Sequence, residues 1–225
     1  MIHLHRVSLE YPRTKTMALY DVNLEIKRGE FVFLMGHSGA GKSSLLGLIL
    51  RRFNPTAGAV YVDRVNLRHL RGNRLARYRR RIGVVFQDHR LLADRTVEEN
   101  LAFVLRVQGV PRRFWAERIA RVLRTVGLPH KRRAFPFQLS VGEAQRVAVA
   151  RALIVEPDVL LADEPTGNLD PDNARAMLEL FKMAHAKGTT VILATHSPEL
   201  VRAYPQRVVA LKAGQVVRDR RPALQ

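Results

Sequence analysis

The sequence of 225 residues contains no cysteine and only 20 acidic residues. The absence of cysteine excludes disulfides, thiolate metal sites and a cysteine nucleophile, and it fits a reducing compartment. No apolar run approaches the roughly 18 residues that a membrane-spanning helix needs, because the longest, at 31–35 and 45–50, have the size of core segments. The first residues also lack the apolar stretch of a secretory signal. We therefore expect a cytoplasmic protein that does not cross a bilayer by itself.

Basic residues outnumber acidic ones so far that the formal net charge is +18 at pH 7. The arginines are concentrated in two clusters, at 64–81 and 112–133. Such surfaces attract nucleic acids or the anionic leaflet of a membrane. An arginine-rich face that simply meets water explains them equally well. Charge alone does not choose between these partners.

The pattern of apolar residues predicts strands alternating with helices. Strands are expected at 3–10, 18–26, 31–35, 59–62, 82–86, 158–162, 191–194, 208–211 and 215–217, and a turn at 55–58. Helices are expected at 42–52, 68–80, 143–153, 172–186 and 198–203, with a helical section over 96–128 that has Thr96 as its N-cap. This order indicates an α/β sheet whose site lies at the carboxyl ends of the strands.

Residues 36–43 read G-H-S-G-A-G-K-S between a predicted buried strand and a predicted helix. That context is what a phosphate-binding loop requires. The three glycines let successive backbone N–H groups turn towards phosphates, Lys42 reaches the terminal phosphates, and the Ser43 hydroxyl is a ligand for Mg²⁺. The sequence therefore predicts a nucleotide-binding protein.

Polar side chains follow three of the later strands. Asp163 and Glu164 end an apolar strand, where Asp163 is suited to hold Mg²⁺ through water and Glu164 to polarise an attacking water. His196 and Gln87 each follow a strand in the same way, and His196 is placed to contact a terminal phosphate. Acidic pairs also cap strands, and a lone histidine at a strand end is usually structural. The phosphate loop upstream favours the functional interpretation.

A second anion site is predicted at the start of the helix at 143–153. Ser140 and Gly142 open this helix, so a hydroxyl, free N–H groups and the positive end of the helix dipole converge there. One nucleotide already has its own loop in the chain. A second anion site therefore indicates a second molecule.

Together these motifs resemble the ATP-binding cassette (ABC) ATPases over essentially the whole chain. The resemblance implies a P-loop NTPase fold with a RecA-like core, an N-terminal antiparallel β-subdomain and an α-helical subdomain at about 88–150, within a single domain of residues 1–225. It also implies a homodimer in the ATP-bound state, in which the signature helix of one subunit completes the site of the other.

The resemblance implies a role for each motif. Nucleotide contacts fall to Tyr11 on the adenine, to Gly36, His37, Ser38, Gly39, Ala40, Gly41, Lys42, Ser43 and Ser44 of the phosphate loop, and to Ser140 and Gly142 within the signature 139–145. Ser43, Gln87 and Asp163 are the expected Mg²⁺ ligands. Glu164 is the expected general base, assisted by His196 and Gln87, and residues 167–170 are expected to contact the second subunit.

Within the family, segments 36–43, 86–97 and 160–170 resemble ATPases that serve cell division. This implies an integral membrane partner, membrane contact through that partner at the cytoplasmic face of the inner membrane, and control of cell-wall hydrolases. The stretch A-D-E-P-T-G-N-L-D is shared with lipoprotein-release and macrolide-type exporters, so an exporter ATPase is the alternative. A nucleic-acid-associated ATPase is a third. Such proteins usually carry two cassettes or a long insertion, neither of which 225 residues can hold, so no specific nucleic acid is expected.

Two further expectations concern single residues. Val141 stands where the family pattern has glycine, and we expect its β-branched side chain to restrict the backbone and weaken the closed dimer. Ala144 and Ser197 also depart from the pattern. Apolar residues after Gln87 are expected to line a groove for a helix of the membrane partner; these are Leu91, Leu92, Phe103 and Val104.

Overall fold

The computed structural model describes residues 1–167 and 169–221. Its strands are β1 (Ile2–Tyr11), β2 (Thr16–Ile26), β3 (Phe31–Met35), β4 (Ala57–Val62), β5 (Val65–Asn66), β6 (Ile82–Val85), β7 (Val159–Asp163), β8 (Thr190–Thr195), β9 (Arg207–Lys212) and β10 (Gln215–Arg220). Its helices are α1 (Lys42–Ile49), α2 (Gly72–Arg80), α3 (Val97–Val107), α4 (Trp115–Thr125), α5 (Val141–Leu153), α6 (Pro171–Ala186) and α7 (Pro198–Ala203). Among the described residues, no helix combines the length and the apolar character needed to cross a bilayer.

The chain divides into two compact units, one formed by Met1–Arg79 with the chain from Thr190 onward, and one by Arg80–Thr189. The first unit contains an antiparallel sheet in the order β2-β1-β4-β5. Ile2 and Leu4 of β1 are buried, and so are Val7 and Leu9, because alternate side chains of a strand point to the same face. The alternation shifts by one residue between Leu4 and Val7, where the pairing with β2 is irregular. The same unit contains the strands β10-β9-β3-β8.

The apolar strand β3 is the centre of this second group of strands. It pairs in parallel with β8 and with β9, and β10 pairs antiparallel with β9. Residues Phe31–Leu34 of β3 are at most 1% exposed. A strand that is covered on both faces is a continuous apolar run rather than an alternating one. The phosphate loop therefore follows directly on a buried strand.

A buried arginine joins three strands of the first unit. Arg207 of β9 is 6% exposed. Its guanidinium donates to both carboxylate oxygens of Asp219 at 2.8 and 2.6 Å, to Glu30 at 2.9 Å and to the carbonyl of Glu25 at 2.8 Å. These partners lie on β10, just before β3, and on β2. The planar guanidinium donates in several directions at once, and so it satisfies all three acceptors.

The second unit holds the parallel pair β6–β7 and the helices α3 to α6. Helix α3 begins with a capping box, in which the Thr96 side chain accepts from the Glu99 N–H and the Glu99 carboxylate accepts from the Thr96 N–H. Asn100, which is 1% exposed, accepts from the Leu92 N–H at 2.8 Å and donates to the carbonyls of Leu92, Arg95 and Thr96. The side-chain amide of Asn100 therefore holds the loop before α3 against the start of that helix.

The structure confirms the α/β class and nearly every predicted element, but several boundaries differ. The helix expected at 42–52 ends at Ile49, because Arg51 takes a left-handed φ of 58°. The helix expected at 68–80 begins at Gly72, because Leu70 is extended. The turn expected at 55–58 already belongs in part to β4, and α5 begins two residues before its predicted start.

Candidate functional site

The phosphate loop connects β3 to α1 in the first unit. Lys42, 6% exposed, folds back over the loop and donates from Nζ to the carbonyl of Gly36 at 2.6 Å and to that of His37 at 3.0 Å. Its ammonium group is therefore held at the loop. His37, Ser38, Gly39 and Ser43 are exposed, whereas Ala40 and Ser44 are buried.

Two glycines of the loop have backbone as their neighbours. A Cβ on Gly36 would lie 2.6 Å from the Leu211 carbonyl oxygen, and one on Gly41 would lie 2.7 Å from that of Ala18. Gly41 also has a φ of 104°, which side chains strongly disfavour. The strands of the first unit thus approach the loop so closely that no larger residue fits at these positions.

Tyr11 lies beside the phosphate loop. Its hydroxyl forms a 2.9 Å hydrogen bond with the Ser44 hydroxyl on α1, and its ring meets Phe53 edge-on at 5.4 Å between centroids. Sequence analysis did not single out Phe53, because this residue belongs to no motif and contacts Tyr11 only in the folded chain. Tyr11, predicted to stack on adenine, is therefore oriented by two neighbours.

His196 leaves the sheet at the same edge as the phosphate loop. Strands β3 and β8 are parallel neighbours with Met35 opposite Thr195, so the residues that follow each strand emerge together. His196 is exposed there. Within the first unit the structure thus brings together Tyr11, the loop of 36–44 and His196.

The second unit collects the other predicted residues. Strands β6 and β7 are parallel with Val85 opposite Ala162, so Gln87 and the pair Asp163–Glu164 leave the sheet at one edge. Glu164 has a left-handed φ of 47°. This conformation, which costs a non-glycine residue about 1 kcal/mol or more, breaks the strand alternation that would send the two carboxylates to opposite faces.

The predicted metal ligands fit Mg²⁺ by their chemistry. Ser43, Gln87 and Asp163 offer a hydroxyl, an amide and a carboxylate oxygen, and Mg²⁺ prefers oxygen ligands. Ser43 and Gln87 are exposed and Asp163 is half-buried at the end of β7. The described residues contain no group of three or more His, Cys, Asp or Glu side chains that could hold a metal.

Ser140 is the N-cap of α5 and shares a capping box with Glu143. The Ser140 N–H donates to the Glu143 carboxylate at 2.8 Å, and the Glu143 N–H donates to the Ser140 hydroxyl at 3.2 Å. The hydrogen bond from the Ser140 backbone lowers the pKa of Glu143, with Lys131, 3.1 Å away, as a smaller cause. The Ser140 hydroxyl accepts from the Glu143 N–H, and the Ser140 side chain is a further, smaller cause of the lowered pKa of Glu143.

The backbone cost that we expected at Val141 does not arise. Val141 is the first residue of α5 and is not among the residues with positive φ. A helical φ is open to valine as it is to glycine. The expected restriction of the backbone was therefore wrong, and a weaker closed dimer no longer follows from it. The side chain is 53% exposed beside Ser140. Any effect of Val141 must come from this exposed side chain.

Gly142, by contrast, is tightly packed. A Cβ there would lie 3.2 Å from the Asn173 Oδ1 on α6. That oxygen accepts from Arg146 Nη1 at 2.6 Å, and the Asn173 amide donates to Asp170 at 2.6 Å. Asp170 caps α6 through the N–H groups of Asp172 and Asn173. The start of α5 and the start of α6 thus share one hydrogen-bond network. Asn168, within the predicted subunit-contacting loop 167–170, lies outside the described residues.

A cavity of about 410 Å³ lies within the second unit. Phe103 and Leu92, which are 52% and 38% exposed, line it together with Ala102. The remaining lining residues are the charged Asp94, Arg95, Glu99 and Arg106. Leu91 and Val104, which we expected in the groove, are half-buried and do not line this cavity. Two of the four apolar residues expected in the groove therefore line the cavity, and charged residues form much of the rest of its lining.

Comparison with known proteins identifies the class. The family model of the ABC transporter matches residues 19–167. The chain therefore belongs to the ABC transporter family, and it is an ATPase subunit that binds ATP.

Particular relatives lie within this class. The chain is 47% identical to the cell division ATP-binding protein FtsE of Mycobacterium tuberculosis, over 97% of this chain and 95% of that protein. It is 45% identical to the methionine import ATP-binding protein MetN 2 of Rhodococcus jostii, over 90% of this chain and 60% of that protein. Among solved structures, a dimeric ATP-binding cassette in a post-hydrolysis state, bound to ADP and Pi, has a TM-score of 0.90 at 36% identity, with 98% of both chains covered.

Proposed function

We propose that this chain is an ATPase subunit of the FtsE type, which pairs with an integral membrane protein similar to FtsX and controls cell-wall hydrolases in division from the cytoplasmic face of the inner membrane. The similarity to FtsE over nearly the full length of both chains supports this most strongly. The importer ATPase is almost as similar, but it is a longer protein of which the chain covers 60%. Overall identity therefore does not discriminate between the two, and the segments 36–43, 86–97 and 160–170 are what favour the cell-division type.

In the proposed reaction, the phosphate loop holds the phosphates of ATP and Tyr11 holds the adenine. Bound Mg²⁺, held by Ser43, Gln87 and Asp163, would neutralise charge on the phosphates. Glu164 accepts a proton from the attacking water and His196 contacts the terminal phosphate. Each of these groups acts on a different atom. Substitutions of the different groups should therefore have distinguishable effects on ATP binding and on turnover.

Two copies of the chain are proposed to close on ATP. Ser140 and Gly142, at the positive end of α5, would meet the terminal phosphate held by the second copy. The exposure of Ser140 supports this assignment. The dimeric arrangement of the similar cassette supports it as well.

Glu164→Gln tests the catalytic assignment. The variant should bind ATP as the natural chain does, lose at least about a hundredfold in turnover, and accumulate as an ATP-dependent dimer, because the amide cannot accept the proton from water. Steady-state ATPase assays and size-exclusion chromatography with ATP and Mg²⁺ measure this. Glu156→Gln, an exposed glutamate paired with Arg121 outside the motifs, is the matched control. A monomeric Glu164→Gln variant with normal turnover would contradict the assignment.

The membrane partner is tested by co-expression. With an FtsX-like protein, the chain should reach the membrane fraction and its ATPase rate should change, whereas the permease of a lipoprotein-release or macrolide-type exporter should do neither. Recruitment by the exporter permease alone would favour the alternative function. The A-D-E-P-T-G-N-L-D stretch shared with those exporters makes this the relevant comparison.

A further inference from the structure

The backbone just after Gln87 is held in an unfavourable conformation. His89 and Arg90 have φ angles of 53° and 52°, so two consecutive non-glycine residues are left-handed. Each costs about 1–2 kcal/mol relative to the right-handed region. Such a turn persists only where the surrounding structure holds it.

Arg151, near the carboxyl end of α5, provides that hold. Its Nη2 donates to the carbonyl oxygen of His89 at 2.7 Å, and its Nη1 donates to the carbonyl oxygen of Arg90. One planar guanidinium thus bridges two consecutive carbonyls, which the single ammonium group of lysine does less well. Burial lowers the pKa of Arg151, and the nearby Arg90 lowers it further. The Arg151 guanidinium is thus partly desolvated, and its two hydrogen bonds to the turn offset this cost.

The same turn is fixed at its other side chains. Arg90 donates from Nε to both carboxylate oxygens of Asp88, at 2.9 and 3.1 Å, and its guanidinium lies 4.0 Å from the centre of the Phe86 ring. The turn is therefore attached to α5 through Arg151 and to β6 through its neighbour Phe86.

These contacts connect two parts of the predicted machinery within one unit. Gln87 lies between β6 and the turn, so its position is set by the strand on one side and by the turn on the other. Helix α5 carries Ser140 at its first turn and Arg151 at its last. We propose that Arg151 is a positioning residue, which holds Gln87 in place through the carbonyls of His89 and Arg90 and so links the placement of Gln87 to that of α5. This rests on the proposed role of Gln87 as a Mg²⁺ ligand.

The structural part of the proposal is tested without activity. In the full chain, amide hydrogen exchange of the peptide 86–92 should become about tenfold faster in Arg151→Met, because the local turn opens more often. Arg151→Lys should show a smaller increase. Millimolar guanidinium ion should slow the exchange of Arg151→Met again by occupying the vacated place. Arg124→Met, an exposed arginine on α4, is the control and should exchange as the natural chain does.

The functional part is tested by the Mg²⁺ dependence of ATP hydrolysis. Arg151→Met should raise the apparent Mg²⁺ requirement about tenfold, the usual size of losses behind a metal ligand, while Mg²⁺-free ATP binding stays unchanged. Guanidinium ion should reverse this shift.

Unchanged exchange at 86–92, or faster exchange spread evenly over α5 and β6, would overturn the proposal. A second result would also overturn it. In this result Arg151→Met shows faster exchange at 86–92 but an unchanged Mg²⁺ requirement, while Glu164→Gln has lost turnover as expected. If Glu164→Gln keeps its turnover, the proposed function fails for a separate reason. The exchange experiment then still shows whether Arg151 stabilises the turn at His89 and Arg90.

Discussion

At the scale of single residues, the backbone carries information that the motifs do not. Glu164, His89 and Arg90 all have left-handed φ angles next to residues predicted to act on ATP. The sequence predicted that Asp163 and Glu164 end a strand, but it could not show how the second carboxylate turns. That depends on a φ of 47° which no residue type at this position demands. The sequence therefore predicted which two residues end the strand, but not the backbone conformation of Glu164.

Val141→Gly belongs to the same scale. Because Val141 already has a helical conformation, glycine relieves no backbone strain and instead lowers the stability of α5 by less than about 0.5 kcal/mol, since valine is itself a weaker helix former than alanine. We expect the ATPase rate and its dependence on protein concentration to change less than about twofold. Steady-state assays at several concentrations check this, with Val141→Ala as the control. A several-fold rise in the glycine variant alone would show that the exposed side chain obstructs closure.

At the scale of elements, local signals set where helices begin. The N-cap at Thr96 was predicted from residue type, and the structure confirms it with a capping box. The break at Leu70 was not predicted, since the arginine-rich sequence 68–80 has helical spacing on both sides of it. Likewise, which apolar residues face the cavity depends on the Asn100 contacts that fasten the preceding loop. These contacts have no signature in the sequence.

Phe103→Asp tests the cavity as a docking element. Because Phe103 is 52% exposed, the charge should cost little stability, yet it should abolish recruitment by the membrane partner, since a buried anchor of a helix-in-groove contact is lost. Sedimentation with membranes containing the partner, together with thermal unfolding, measures both effects. Phe114→Asp, at an exposed phenylalanine that does not line the cavity, is the control. If Phe103→Asp loses thermal stability together with recruitment, Phe103 belongs to the core and the loss of recruitment follows from unfolding.

At the scale of the whole molecule, the motifs predicted the class because each one requires a particular strand, loop and helix around it. The predicted subdomain at about 88–150 stays a prediction. Contacts between residues far apart in sequence were beyond reach, as Arg151 with His89 and Arg207 with Glu30 illustrate. Nothing in the local pattern distinguishes these two arginines from the others in a chain with 38 basic residues.

Acid sensitivity is expected at this scale. Arg207 lowers the pKa of Asp219, so this carboxylate contributes stability above the unfolded pKa and loses the contribution as pH falls through the lower, folded value. Arg207→Met should destabilise the chain by about 3–5 kcal/mol at pH 7, because buried acceptors lose their partner. Its stability should also fall less than that of the natural chain between about pH 5 and pH 3.

Urea unfolding at several pH values measures both effects. Arg175→Met is the control, since Arg175 pairs with Asp172 only at 3.8 Å and both side chains are largely exposed. It should change stability by less than about 0.5 kcal/mol. A parallel pH profile for Arg207→Met and the natural chain would contradict the account, because Glu99, Glu143 and Asp170 would then carry the whole acid response.

The contact between Gly142 and Asn173 has a consequence for how this sequence can vary over time. A side chain at 142 needs the space of the Asn173 amide, whose oxygen holds Arg146 and whose nitrogen holds Asp170. Replacing one of the four residues therefore changes the selective pressure on the other three. Among related chains, a residue larger than glycine at 142 should occur together with a smaller residue at 173 and with a changed residue at 146. In an alignment of such chains these positions would vary as a set, although they lie on two different helices.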